Sequence, residues 1–305
     1  MQYGDLSTAI RAYREGKNIM AALREALGEL ANNDHIVEIA YDLQSGSYVD
    51  DLKANPNQWM AYSLELASIV EPFVQVNSRV LDVGTGEMTT LSGVAPLAFS
   101  KASKIYAFDI SFSRIFTGIN FTSEKLEEKL REKLRPFVGN LFSLPLLDGS
   151  IDVTWTSHAI EPNGGKEEMA LKELFRVSRS HVILFEPSYE HNSVEGRERM
   201  EVLGYVKKLP EAIEAAGGEL VDVIPLKHAS NPLNPTHAYV CKVRNTARVS
   251  PSSSVWACPA TKLPMHKLGD CYFSASSRLA YPIINGVPIL RAEQGVLASS
   301  LESLD

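Results

Sequence analysis

From Ser78 to Val243 short apolar runs alternate with stretches of helical periodicity, and this alternation restricts the fold more than any other feature. The runs are RVLDV (79–83), KIYAFDI (104–110), IDVTWTS (151–157), HVILFE (181–186), ELVDVIPL (219–226) and HAYVCKV (237–243), with a shorter RPFV at 135–138. Between them lie helical patterns, such as Met169, Leu171, Leu174 and Phe175. Strands separated by helix-length segments are joined by crossovers, so most of the sheet is expected to be parallel and covered on both faces. The last two runs are linked only by KHASNPLNPT, too short and too rich in proline for a crossover helix. They are expected as an antiparallel pair.

Residues 1–77 show no strand signal. Ile10, Tyr13, Met20, Leu23 and Leu27 recur at near-helical spacing around Gly16. Asp34 is placed to cap a second helix that stops near Gly46, and a third helix is expected after Pro56. The polar, aperiodic RNTARVSPSSS (244–254) reads as a linker. These signals divide the chain into a helical region at 1–77, an α/β domain at 78–245 and a small domain at 246–305. The run SEKLEEKLREKLR (123–135) mixes both signs of charge around Leu126, Leu130 and Leu134, which predicts one solvated amphipathic helix.

A net charge of −7 argues against a general nucleic-acid surface. No uninterrupted apolar run reaches the length of a bilayer, so no membrane partner is expected. The first residues lack the basic-then-apolar pattern of a secretory signal, and Cys241, Cys258 and Cys271 are too few for a disulfide framework. A cytoplasmic setting is expected, and self-association into a homo-oligomer is left open.

The stretch VLDVGTGEMTTL (80–91) carries an apolar strand through Asp82 and then bares the backbone at Gly84 and Gly86. A dinucleotide fingerprint needs a third glycine at position 89, to pack the helix under a pyrophosphate, and Thr89 stands there. Asp109 ends the next strand 23 residues beyond Gly86, where a carboxylate can accept both ribose hydroxyls. The turn therefore fits a cofactor with a ribose and no pyrophosphate.

VLDVGTGEMT, YAFDIS, GNLFSLPLLDGSIDVTWTSHAIE and LKELFRVSRSHVILFEP resemble, in order, the motifs of class I S-adenosylmethionine-dependent methyltransferases. The resemblance implies a seven-stranded, mostly parallel, doubly wound sheet with an antiparallel last strand, and S-adenosylmethionine as cofactor. It implies that Asp82, Gly84 and Gly86 lie against the methionine portion and that Asp109 binds the ribose. Ile110, Asn140 and Leu141 would flank the adenine, with Ser157 and His158 closing the site. Asn140 stands where many members have aspartate, and its amide oxygen could accept from the adenine amine.

Methyl transfer needs an in-line nucleophile held in place more than it needs a triad. Catalytic candidates are His158 and Glu161 after the fourth strand and Glu186 at the end of the fifth, where a buried carboxylate lacks a simple structural reason. Tyr189 and Arg199 follow as candidate substrate contacts, with Glu190, His191 and Tyr205 nearby. YDLQSGSYVDD (41–51) offers Tyr41, Gln44 and Tyr48 as lid residues touching cofactor or substrate. The expected acceptor is a small metabolite, such as a sugar or natural-product intermediate. An RNA or protein methyltransferase and a non-catalytic cofactor-binding subunit are the alternatives.

Residues 255–290 resemble the small zinc-ribbon family that activates methyltransferases. The family's ligands are two Cys-x-x-Cys knuckles, because tetrahedral zinc takes four soft donors. Here Cys258 is followed by Thr261, Ser274 and Ser277 take the second knuckle, and Cys271 is out of register. No metal is expected, and the segment should persist by docking Trp256, Tyr281, Ile283 and Ile289 onto the larger domain.

Overall fold

A computed structural model of the protein describes residues 3–229, 231–244 and 254–302. Five helices come first: α1 (Tyr3–Arg14), α2 (Ile19–Leu27), α3 (Asp34–Leu43), α4 (Ser47–Ala54) and α5 (Pro56–Val70). Asparagine side chains start two of them. Asn18 accepts from the Ala21 N–H and Asn33 from the Ile36 N–H, so Asn33 rather than Asp34 caps α3. Gly46, at φ +102°, turns the chain from α3 into α4, a helix the sequence pattern did not reveal. Pro56 sits in the first turn of α5, where its missing N–H costs nothing.

Next come β1 (Arg79–Val83), α6 (Thr89–Ala98), β2 (Lys104–Asp109), α7 (Phe112–Lys125), α8 (Glu128–Arg131), β3 (Leu134–Val138) and β4 (Ile151–Ser157). They are followed by α9 (Glu167–Val177), β5 (Ser178–Pro187), α10 (Val194–Leu203), α11 (Leu209–Ala215), β6 (Gly218–Pro225) and β7 (Thr236–Val243). The seven strands form one sheet in the order β3-β2-β1-β4-β5-β7-β6. All pairings are parallel except those of β7, which runs antiparallel to β5 and β6. The α/β expectation holds, including the antiparallel last strand.

Strand pleating sends alternate residues to opposite faces. Val80, Ile105, Val153 and Trp155 meet Leu66 and Val70 of α5 and Leu91 and Val94 of α6. Leu81, Val83, Tyr106 and Phe108 meet Leu171, Leu174 and Phe175 of α9 on the other side. Full burial stabilises each such side chain by roughly 1.5–3 kcal/mol, which is what holds the two helical layers on the sheet.

The expected single helix at 123–135 is not there. α7 stops at Lys125, α8 is one short turn, and Leu134 is already in β3 beside Ile105. Leu126, Leu130 and Leu134 are all buried, so the leucines serve the core without sharing a helix. Of the expected linker, residues 245–253 lie outside the described residues.

The last segment builds a second, antiparallel sheet from β8 (His266–Leu268), β9 (Cys271–Ser274), β10 (Leu279–Ile284), β11 (Val287–Pro288) and β12 (Val296–Leu297). It covers the β3 edge of the large sheet. Ile289 bridges Val138 in parallel, and the Leu290 N–H donates to the Val138 carbonyl at 2.8 Å. Trp256 packs edge-on against Tyr106 and Phe137, with ring centroids at 5.5 and 5.2 Å. Tyr281 and Ile289 are buried, while Trp256 and Ile283 are half-buried. Lys262 pairs with Glu173 of α9 at 3.1 Å, and Arg291 with Glu38 of α3 at 2.6 Å. The Cys258 thiol lies 3.5 Å from the Ser277 hydroxyl and 3.4 Å from that of Tyr281. Burial opposes its ionisation, but hydrogen bonds from Ser277, Thr261 and Tyr281 outweigh it and bring the thiol down to about 6. One thiol among hydroxyls is a poor donor set for zinc.

Candidate active site

A cavity of about 830 Å³ opens at the carboxyl ends of the central strands. β1 enters it through Val83, and Gly84 and Gly86 take φ of +62° and +53°. A Cβ on Gly84 would stand 2.5 Å from the Ala159 Cβ. The bared backbone at Gly84 therefore admits the turn after β4, not only a ligand. Gly86 is more open, its nearest neighbours being Tyr48 and Arg114 at 3.5 and 3.6 Å from such an atom. Asp109 lines the cavity and accepts the Gly86 N–H at 3.0 Å and the Ser111 N–H at 2.9 Å. Burial raises its carboxyl, while those N–H groups and Arg114 pull the other way. Asp82 turns away from the cavity wall and takes the Thr85 hydroxyl at 2.5 Å. Burial pushes it up to about 8.

Ile110, Asn140, Leu141, Ser157 and His158 all stand in the wall. The Asn140 amide, however, is already engaged. Its nitrogen donates to Asp34 at 2.6 Å and its oxygen accepts the Phe142 N–H at 2.8 Å. Asp34, the first residue of α3, thus sets a carboxylate beside Asn140 and also lines the cavity.

The segment joining α3 to α4 is fastened over this end. Asp42 accepts the Ser111 hydroxyl at 2.7 Å and the Ser113 N–H at 3.1 Å. Glu87, fully buried just after the glycine turn, accepts the N–H groups of Gly46 and Val49, each at 2.9 Å. The Arg114 guanidinium lies over the rings of Tyr41 and Tyr48, 4.9 and 4.2 Å from their centroids, and its Nε donates to the Tyr41 carbonyl at 2.8 Å. Tyr41 and Tyr48 both line the cavity, whereas Gln44 does not.

Glu186 requires a correction, because it is fully buried and outside the cavity wall. Its carboxylate accepts the Thr156 hydroxyl at 2.7 Å and the N–H groups of Ala159, Ile160 and Glu161 at 3.0, 3.1 and 3.0 Å. Burial pushes it up to about 7. Its place is under the turn at 158–161, which it holds in shape. Tyr189 pairs with Glu201 at 2.7 Å, and the Arg199 guanidinium lies 5.6 Å from the Tyr205 ring. Neither Tyr189 nor Arg199, both expected as substrate contacts, is among the residues that line the cavity.

The turn itself presents His158 at φ +57°, a strained conformation for a residue with a Cβ. His158 Nδ1 is hydrogen-bonded to Glu161, and Nε2 lies 3.1 Å from the Thr236 hydroxyl. Tyr62 of α5 reaches the Ser157 hydroxyl at 3.0 Å. Gln58, Trp59, Tyr62, Asn234 and Thr236 complete the far end of the cavity. The polarity of KHASNPLNPT is visible in the sequence, whereas in α5 neither Gln58 nor Tyr62 stands in a motif that singles it out.

Residues 81–185 match the family described as Methyltransferase domain. No curated protein matches the sequence. Among solved structures, a chain of the complex containing the Haloferax volcanii Trm112 methyltransferase activator is 17% identical, with 65% of this chain and 95% of that one covered and a TM-score of 0.51. A SAM-dependent methyltransferase from Aquifex aeolicus is 17% identical over 58% of this chain and 88% of its own, with a TM-score of 0.43. Geranyl diphosphate C-methyltransferase from Streptomyces coelicolor A3(2) is 11% identical over 59% and 77%, with a TM-score of 0.46. Residues 81–185 thus match a methyltransferase domain, for which the sequence motifs above imply S-adenosylmethionine as the cofactor. The cavity fits that cofactor in its own terms: a carboxylate for a ribose at Asp109, a polar pair at Asp34 and Asn140, and no third glycine for a pyrophosphate. Among the described residues no helix is long and apolar enough to cross a membrane, and no group of three His, Cys, Asp or Glu is placed to hold a metal ion.

Proposed function

We propose that the protein methylates a small polar metabolite enclosed between the glycine turn, helices α3–α5 and the segment 227–236. The observation that carries this reading is the continuity of the cavity from Asp109 and Asn140 to Gln58, Tyr62, Asn234 and Thr236. Bound at its near end, the cofactor supplies an electrophilic methyl group. Asp109 would accept the ribose hydroxyls, Asp34 with Asn140, Ile110 and Leu141 would hold the adenine, and Gly86 would pass the methionine portion. Ser157 and His158 stand between the two ends. Residues 1–77 act as the lid, since Tyr41, Tyr48, Trp59 and Tyr62 wall the cavity, and a wall that excludes water holds a small acceptor in line. Residues 254–302 form a zinc-ribbon-like module without metal that seals the β3 edge. The three free cysteines fit a reducing cytoplasm.

The test is transfer of isotope-labelled methyl from S-adenosylmethionine into a cell extract separated into metabolite, RNA and protein fractions. Label in the metabolite fraction is expected. Label confined to RNA or protein would overturn the reading in favour of a macromolecular acceptor, and cofactor binding without any labelled product would favour a non-catalytic subunit.

A further inference from the structure

We infer that the reacting atom of the acceptor is a hydroxyl oxygen and that His158, oriented by Glu161, takes its proton. This rests on the reading that a small acceptor fills the far end of the cavity. Three independent features of the turn lead here. The first is backbone strain: His158 is held at φ +57° by a turn whose three following N–H groups are all tied to Glu186. Such a conformation persists only where the surroundings enforce it.

The second is the tautomer. Glu161 is an acceptor when ionised, so its bond to Nδ1 places the ring hydrogen there and leaves the Nε2 lone pair free. Glu161 is itself steadied by Asn234 at 3.5 Å and by a hydrogen bond with Tyr205. A carboxylate behind an imidazole fixes its orientation and makes it a stronger base.

The third is what Nε2 meets. It points to the Thr236 hydroxyl at 3.1 Å, and both residues line the cavity, with the Tyr62 and Ser157 hydroxyls beside them. The site already sets a hydroxyl group against this nitrogen, one that also reaches the Asn234 carbonyl at 3.3 Å. An acceptor hydroxyl makes the same bond, and a neutral hydroxyl is the acceptor that gains most from losing its proton during attack, whereas a neutral amine already offers its lone pair. In the transfer, the acceptor O–H bond breaks and its proton passes to Nε2. The oxygen's electron pair forms the new bond to the methyl carbon, and the electron pair of the broken sulfur–carbon bond stays on sulfur.

Burial alone would make His158 less basic, but Glu161 and, more distantly, Glu186 on β5 raise it above the ordinary value. The other titratable groups that face this pair include Tyr205, which bonds Glu161, and Tyr62 from α5, which reaches the neighbouring Ser157. Tyr41 from α3 and Tyr48 from α4 complete them, and both feel the Glu161 charge. The neutral ring, which is the base, therefore grows in as pH rises through that raised value. Removing the Glu161 charge lowers it.

The experiment uses the full-length protein, methyl-13C S-adenosylmethionine and the metabolite fraction that accepts label. The product should carry a methoxy carbon by NMR. His158→Gln should lower kcat at least 100-fold while changing S-adenosylhomocysteine affinity less than threefold, the latter showing that the fold and cofactor end survive. Glu161→Gln should shift the rising limb of the kcat–pH profile to lower pH, which a merely structural role would not do. A labelled N-methyl or C-methyl product would overturn the hydroxyl assignment alone, as would a His158→Gln protein that keeps the wild-type kcat and pH profile. Label confined to RNA or protein would instead remove the small-molecule reading on which it rests.

Discussion

The two ends of the cavity are built in different ways. At the cofactor end, Gly84, Gly86, Asp109, Asn140 and Ser157 each sit at or just beyond the carboxyl end of a strand, and neighbouring strands bring them together. At the acceptor end, Gln58 and Tyr62 come from α5, His158 and Glu161 from a strained turn, and Asn234 and Thr236 from the connection entering β7. The sheet ladder fixes the first set through backbone hydrogen bonds that every sequence can make. The second set depends on side-chain bonds that tie loops to helices, such as Glu65 accepting the Lys227 and His228 N–H groups at 2.8 and 3.0 Å and Gln58 donating to the His228 carbonyl at 2.6 Å. One end is thus a property of the fold, and the other belongs to this particular chain.

Substitutions should separate the ends. Asp109→Ala removes a charged acceptor from the cofactor end, and calorimetry with S-adenosylhomocysteine should show a loss of roughly 2–4 kcal/mol. Thr236→Val, at the other end, should leave that affinity within twofold. If both change it alike, the division into two ends is wrong.

Glu186→Gln sets an amide NH2 against backbone N–H groups that now donate to a carboxylate. Chemical denaturation should show about 1–3 kcal/mol of lost stability, since a buried donor goes unpaired. Amide exchange should quicken at 158–161 and stay unchanged at the glycine turn.

Asp82 lies beneath the cofactor end with its folded value raised from 3.8 to about 8. A carboxyl held protonated by the fold contributes stability that is complete below its unfolded value and is lost as pH rises through the folded one. Denaturation between pH 4 and 8 should therefore show stability falling, by at most about 1.4 kcal/mol per pH unit. Asp82→Asn should flatten that slope. An unchanged slope would mean that Asp82 ionises freely in the folded protein.

The smallest effect is expected in the C-terminal sheet. A zinc chelator should leave the Tm unchanged, and elemental analysis should find well under one zinc per chain, because Thr261, Ser274 and Ser277 offer no thiolate beside Cys258. Stoichiometric zinc whose removal unfolds the segment would refute this.

The strands were legible because a covered parallel sheet demands continuous apolar runs, and RVLDV and IDVTWTS end in the structure where the runs end. The run at 123–135 misled for an equally physical reason. Leucines four apart fit a helix, but Leu134 gains more by joining β3 against Ile105 than by extending α8. Gly84 was readable as a close approach, though not that its partner is Ala159. Glu186 was readable as an anomalous buried carboxylate, and only the turn it caps explains it. Tyr189, Arg199 and Gln44 had suitable chemistry in segments near the site, yet none of them lines the cavity.

The sequence by itself determined the succession of the seven strands of the large sheet, the glycine turn and the carboxylate at Asp109, because each depends on residues close together in the chain. Those motifs are what imply the cofactor. Only the tertiary structure decided that Asp34 completes Asn140 across 106 positions, that Glu87 receives the N–H groups of Gly46 and Val49, and that Thr236 faces His158 across 78. Such pairs carry no local signal. They form because packing two helical layers and a returning strand on one sheet brings distant polar groups into a space that excludes water, where each must find a partner.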